Sequence, residues 1–217
     1  QAEEDPYAVI EVLQPALANE NARPELWRLL VRAYTHTGQT EQVVNTLNAY
    51  LRVYPQDGGM TLHLAQAYLK RGKWKEAFET AQGVEPLFPQ NIRAKLLRIE
   101  AAIYLAAEQQ SPDAVRLQAL TAELAVLRQN QPKRADIRTL QAMIALYLEQ
   151  PEQAEQSLQL ALEECEESLE VRLRTVQFYL STQGLDAALA AGRNACQHHA
   201  EAPQVWLSLA RVHAARE

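Results

Sequence analysis

The feature that most constrains this chain is an internal period of 34 residues. Leu30, Tyr34, Gly38 and Pro55 recur at that spacing as Leu64, Tyr68, Gly72 and Pro89. A second block keeps the period but not the phase, with Ala154 and Ala161 matched by Ala188 and Ala195, and Arg172 aligned with Trp206. A fixed period of this size marks one supersecondary unit repeated in tandem, and such a unit cannot bury both of its faces alone. Neighbouring units must therefore stack.

The unit itself reads as two antiparallel helices. Between Gly58 and Asn91, Leu64, Ala65 and Tyr68 make an apolar stripe at i, i+1 and i+4 of a first helix. Gly72 permits a turn, Ala77 and Ala81 give a second helix a narrow face for close packing, and Pro89 stops it. Composition agrees. The 217 residues are 47% hydrophobic and 22% charged, which suits a real core, while 7 Gly are too few for a turn-rich fold or a glycine-rich phosphate loop. The expected fold is all-α, an α-solenoid of tandem antiparallel helix pairs. No apolar run approaches the roughly 18 residues of a membrane span, so membrane insertion is not expected.

The spacing of Trp27, Leu30, Tyr34, Gly38 and Pro55 resembles the tetratricopeptide repeat. That resemblance implies a right-handed superhelix with a concave groove lined by the first helix of each pair. In its frame, residues 1–217 form a single solenoid: an orphan second helix over 6–23, repeats over 24–57, 58–91, 92–134, 135–168 and 169–202, and a terminal first helix over 203–217. The repeat at 92–134 carries an insertion around Ala107 to Asp113, and Ala102 and Ala145 replace the aromatic of Tyr34 and Tyr68. At the start, Asp5-Pro6 reads as a cap and first-turn proline, with Val9, Leu13 and Ala16 at second-helix positions. The chain reads either as a segment of a longer array or as one whose end docks on a partner or on itself.

The resemblance also selects groove positions. These are Glu25, Arg28, Arg32, Thr35 and His36 in the repeat at 24–57, and Gly59, Leu62, Gln66, Leu69 and Lys70 in the next. The following three supply Arg93, Leu96, Glu100, Ile103 and Tyr104; Asp136, Thr139, Met143, Leu146 and Tyr147; and Glu170, Leu173, Gln177, Leu180 and Ser181. The expected protein-binding residues are Arg28, Arg32, Leu62, Gln66, Leu69, Lys70, Arg93, Leu96, Ile103, Tyr104, Met143 and Tyr147. An apolar stripe on a concave surface suits a partner helix or an extended peptide, although Leu62, Leu96 and Leu173 could equally be buried against their own neighbours. Arg28 and Arg32, one turn apart, either capture a carboxylate or are solvated surface arginines. The carboxylate clamp known in the family is not matched, because His63 and Leu97 stand where it needs a polar amide and a base.

The chemistry of an enzyme is not evident. No GxSxG, GxxxxGK[ST] or HExxH occurs, and no strand is expected on which to mount the first two. Cys196, His198 and His199 do not share one helical face, and the acidic run Glu163, Glu164, Glu166, Glu167 lacks the alternation and glycine of a calcium loop, so neither metal nor cofactor is expected. The expectation is a non-enzymatic scaffold or adaptor that binds a protein or peptide partner. Ala- and Gln-rich arrays of this kind look bacterial and point by analogy to an envelope, secretion or polysaccharide-export assembly, in cytoplasm or periplasm. The alternative is an RNA-binding helical repeat, which the net charge of -6 disfavours, so no nucleic acid partner is expected. Trp206, Leu209 and Val212, at i, i+3 and i+6 of a helix with no second helix after it, are expected to leave an apolar edge for weak self-association.

Overall fold

The computed structural model describes residues 5–16, 23–108, 112–182 and 184–216. Residues 17–22 of the orphan helix, 109–111 of the insertion and Glu217 lie outside the described residues, as does the side chain of Ala16. The described residues form helices α1 (Pro6–Ala16), α2 (Pro24–His36), α3 (Thr40–Val53), α4 (Gly58–Lys70), α5 (Trp74–Val84) and α6 (Ile92–Ala107), then α7 (Ala114–Asn130), α8 (Ala135–Tyr147), α9 (Pro151–Glu164), α10 (Leu169–Ser181), α11 (Leu185–His198) and α12 (Pro203–Ala214). No strand occurs among them, and no helix among the described residues is long and apolar enough to cross a membrane. The chain divides into two compact units, residues 1–105 and 106–217.

The reversal between paired helices has one recurring geometry. At the end of α2, Gly38 takes φ 71°, its N–H donates to the Thr35 carbonyl, and the Gln39 N–H donates to the Tyr34 carbonyl. Gly72 repeats this after α4 at φ 69°, with the Lys73 N–H on the Tyr68 carbonyl. These paired bonds satisfy carbonyls that the last helical turn leaves open, and they require a left-handed residue. After α8 the same two bonds form, but Glu149 holds the left-handed position at φ 58°. A side chain there is strained by contact of its Cβ with the backbone.

Small residues set how closely the helices pack. Ala77 and Ala81 of α5 are fully buried in a cluster with Leu62, Ala65 and Leu69 of α4 and Ala94, Leu97 and Ala101 of α6. In the second unit, Ala154 and Ala161 of α9 and Ala188 and Ala195 of α11 are likewise fully buried. Gly192 extends the series, since a Cβ there would lie 3.0 Å from Leu209 Cδ1 of α12.

The fourth residue of α2, α8 and α10 is a larger group. Trp27 of α2 is buried and meets Tyr50 of α3 edge-on at 6.2 Å. Around that pair lie Leu30, Tyr34, Leu47, Met60 and Leu64, with Ile10 and Leu13 of α1 packed against them. In α8 and α10 the same position holds an arginine, Arg138 at 6% exposure and Arg172 at 7%. Arg138 donates to both oxygens of Glu164 on α9 at 2.5 and 2.6 Å, which offsets the cost of burying the charge. Arg172 donates to the Asn194 side chain and the Glu166 carbonyl, and its Nε has no hydrogen-bond partner among the described residues.

The turn geometry yields a paired stability expectation. Replacing Glu149 with Gly removes the left-handed strain and should stabilise the protein by roughly 0.5–1 kcal/mol. Gly72→Ala should cost about 1 kcal/mol, because its Cβ would meet Trp74 only at 3.5 Å and the penalty is that of the backbone. Urea denaturation of the two variants beside wild type checks both signs.

Candidate peptide-binding cleft in the first unit

The first unit contains a cleft of about 470 Å³ between α2, the start of α4 and the start of α6. Arg28, Val31, Arg32, Thr35 and His36 line it from α2; Asp57, Gly59, Met60 and His63 from the second repeat; and Arg93 from α6. The spacing follows from helix geometry, since residues 28, 32, 35 and 36 fall along one face. Gly59 carries no side chain to fill the opening.

Asp57 organises one wall. As N-cap of α4 it accepts the Met60 N–H at 3.0 Å through Oδ1, while Oδ2 accepts Arg28 Nη2 at 2.8 Å and the Tyr50 hydroxyl at 2.7 Å. Burial pushes the Asp57 pKa up, but the hydrogen bonds from Arg28, Tyr50 and Met60 and the charge of Arg28 outweigh it and hold the carboxyl at about 2. Burial, then the hydrogen bond to Asp57 and its charge, push the Tyr50 hydroxyl up to about 12. The hydrogen bond and charge of Asp57 raise Arg28 above its ordinary value. Arg28 is therefore a structural cation whose charge is already met.

Two other arginines differ in what they meet. Arg93 Nη2 donates to Gln66 Oε1 at 2.8 Å, a neutral partner that leaves its charge uncompensated. Arg32 is exposed and has no side-chain hydrogen bond or ion pair among the described residues. His63 sits beside them with its pKa lowered, first by burial and then by Arg93, against a smaller opposing effect of Asp57. The cleft thus sets three arginines against one carboxylate. Its surroundings are not basic: residues 1–105 hold 11 Lys plus Arg against 12 Asp plus Glu, and residues 106–217 hold 10 against 15. The positive character is local to this concavity, which suits it to a carboxylate or other anionic group.

The remaining groove positions divide by burial. Arg28, Arg32, Gln66, Lys70 and Arg93 are exposed. Leu62 is 2% exposed, Ile103 is fully buried, and Leu69 and Leu96 are also buried, so these four offer no open apolar stripe. For Leu62 and Leu69 the reason lies in the alanines of α5 and α6, which bring those helices close enough to cover them. Tyr104 stacks on Trp74 at 4.2 Å and belongs to the packing of the first unit. Met143 and Tyr147 lie half-buried in the second unit, and Met143 Sδ accepts from Arg174 Nη1 at 2.8 Å. Asp57 and Tyr50 escape a reading based on groove positions, although an Asp just before Gly58 is itself a cap signal.

The edge expected at the C-terminal helix is also rearranged. Val212 is fully buried with Val176 and Ala188, and Leu209 packs beside Gly192 against Ala195 and Val205. Trp206 is 52% exposed, its Nε1 donating to the Ala200 carbonyl at 2.8 Å, and Leu207 is 57% exposed. Residues three apart drift around the helix by about 60° at each step, so 206 and 212 lie on different faces.

The cleft yields a pH expectation. A carboxyl held at about 2 against an ordinary 3.8 adds stability above the ordinary value, and this is lost as pH falls through 2. Wild type should lose melting temperature more steeply between pH 4 and pH 2 than Asp57→Asn does. At pH 7 the variant should be less stable by about 1–3 kcal/mol, since it keeps a cap oxygen but loses charge-assisted bonds. Thermal melts followed by circular dichroism across that range check it.

The comparisons with known proteins agree on the architecture. Residues 1–60 match the family model of the tetratricopeptide repeat. Among solved structures, a thermophilic tetratricopeptide-repeat protein of Thermus thermophilus is 21% identical at TM-score 0.72, over 85% of this chain and 96% of that one. A tetratricopeptide-repeat protein of Parabacteroides merdae is 12% identical at TM-score 0.76, over 96% of this chain and 78% of that one. A chain in the APC/C hetero-tetramer Cut9–Hcn1 is 12% identical at TM-score 0.66, over 98% of this chain and 41% of that one. At these identities the likeness is one of fold. Among curated proteins, none matches this sequence.

Proposed function

We propose that this chain, which matches the tetratricopeptide-repeat family over residues 1–60 and has the fold of that family's solved structures, is a non-enzymatic adaptor that holds an acidic segment of a partner protein in the cleft of its first unit. The fold is one that generally serves protein–protein interaction. The observation that carries the finer reading is Arg32, which lines the cleft without an anionic partner among the described residues while Arg28 is held by Asp57. Arg93 supplies a second uncompensated charge across the opening, and His36 and His63 add donors. Val31 and Met60 contribute apolar surface between the charged groups. A partner segment with carboxylates flanking an aliphatic residue matches that pattern. In the cell this reading places the protein within a larger bacterial envelope, secretion or polysaccharide-export assembly, by analogy with other Ala- and Gln-rich arrays.

The test is fluorescence anisotropy with a labelled octapeptide alternating Glu and Leu, beside the same peptide with Gln for Glu. Binding of the acidic peptide should fall about tenfold in Arg32→Ala and weaken as salt rises, and the Gln peptide should bind poorly. Equal binding of the two peptides, or no effect of Arg32→Ala, overturns the reading. Generic RNA serves as a further arm, where binding lost steeply with salt would put the nucleic-acid reading in its place.

Weak self-association through α12 belongs to the same proposal, now carried by Trp206 and Leu207. Analytical ultracentrifugation should show a concentration-dependent dimer that Trp206→Glu abolishes. A wild-type chain that stays monomeric at high concentration contradicts it.

A further inference from the structure

Helix α7 of the second unit is apolar on two sides. Leu117, Leu120 and Leu124 are buried, and on the opposite side Val115 is 78% exposed and Val126 57% exposed. Ala119 and Ala122 lie between these valines and are exposed as well. No exposed residue of α7 carries a charge. The exposed sides of α5 and α9, by contrast, bear Lys75, Glu79, Glu152 and Glu163, as a helix that faces water ordinarily does. An apolar face of this kind marks an interaction surface.

The spacing of the four residues says what covers it. Val115, Ala119, Ala122 and Val126 are separated by 4, 3 and 4 residues, which at 3.6 residues per turn makes one stripe along the helix. Side chains and gaps follow in the same order from either end. A stripe that is its own reverse matches a second copy laid antiparallel about a two-fold axis, with Val115 against the partner's Val126 and Ala119 against the partner's Ala122. Alanine at the centre lets the helix axes approach to about 8 Å, and valine fills the wider space at the ends.

The flanking charges select the same direction. Arg116 and Glu123, seven residues apart, border one edge of the stripe, and Gln118 and Ala125 border the other. Antiparallel helices meet like edge to like edge, which brings Arg116 to the partner's Glu123 and, by symmetry, Glu123 to the partner's Arg116. Parallel helices would set those charges against Gln118 and Ala125. Arg116 and Glu123 each interact within their own chain too, so the crossed pairs fix direction more than they add affinity.

We infer that α7 is a self-recognition surface, through which two copies of this chain pair by an antiparallel, two-fold contact of their α7 helices. Four small residues per copy bury far less than the roughly 1,200 Å² of a stable complex. The contact is therefore transient between free chains and takes hold where chains are concentrated or held together. It shares no residue with the cleft of the first unit or with α12, so it stands or falls apart from what is proposed for them.

The test traps the contact covalently in the whole chain. Trp206→Glu removes the association through α12, and Cys165→Ala with Cys196→Ala removes the native thiols. One cysteine is then placed as Val115→Cys in one preparation and Val126→Cys in another, and each alone and an equimolar mixture are oxidised at the same total concentration. Antiparallel pairing brings position 115 beside position 126 but holds like positions about 16 Å apart along the helix. The 115–126 disulfide should form at least fivefold faster than either like-with-like disulfide, as read by non-reducing electrophoresis and peptide mass spectrometry. Ala122→Glu in both preparations, or Ala119→Glu should the first disturb the circular dichroism, should remove that preference. Faster coupling of like positions, equal rates in all three reactions, or a preference that survives the glutamate overturns the inference. With equal rates the face is left to a helix of a different protein.

Discussion

Close approach of helices across alanine is the contact on which the two units depend. Ala77, Ala81, Ala154, Ala161, Ala188 and Ala195 are all fully buried on second helices, and each removes bulk where a neighbour must come near. A larger side chain at any of them would push adjacent helices apart or force its neighbours off their rotamers, costing about 1–3 kcal/mol by overpacking. The same closeness explains why Leu62 and Leu69 are core residues. Stacking that is tight enough to hold the repeats also removes apolar surface from the face where a partner would dock.

Within that frame, the fourth position of α2 and of α8 shows two solutions to one packing problem. Trp27 fills the space between α2 and α3 with an aromatic pair, and Arg138 fills the corresponding space between α8 and α9 with a charged bidentate pair. The first gains from apolar burial, while the second gains from geometry and would leave a partly buried Glu164 without its bonded partner if Arg138 alone were removed. Arg172 makes the exchange less completely, with a neutral amide and a carbonyl as partners. Trp206 occupies the same position in α12, and no described helix follows to cover it.

Polar organisation then separates the two units. In the first, Asp57 binds Arg28 and Tyr50 to the cap of α4 and leaves Arg32 and Arg93 as the cleft's open charges. In the second, Glu164 pairs with the buried Arg138 through both of its oxygens, and a row of glutamines stands along the exposed side of α9.

The helical repeat was legible in the sequence because its causes are local. A 34-residue recurrence of Leu, Tyr, Gly and Pro, a glycine at each left-handed turn of the first two pairs, and alanines spaced along second helices all act within one or two helical turns. The basic character around Arg28 and Arg32 was legible for the same reason, since residues four apart share a face. The tertiary structure decided the rest. Helix periodicity tells which residues share a stripe but not how near the next helix comes, so the burial of Leu62 and Leu96 and the inward turn of Val212 depended on packing. Which arginine is open and which is held depended on Asp57, 29 residues from Arg28 in sequence and 2.8 Å from it in space. Such pairings arise only when the chain is folded, because they join groups whose proximity no local rule prescribes.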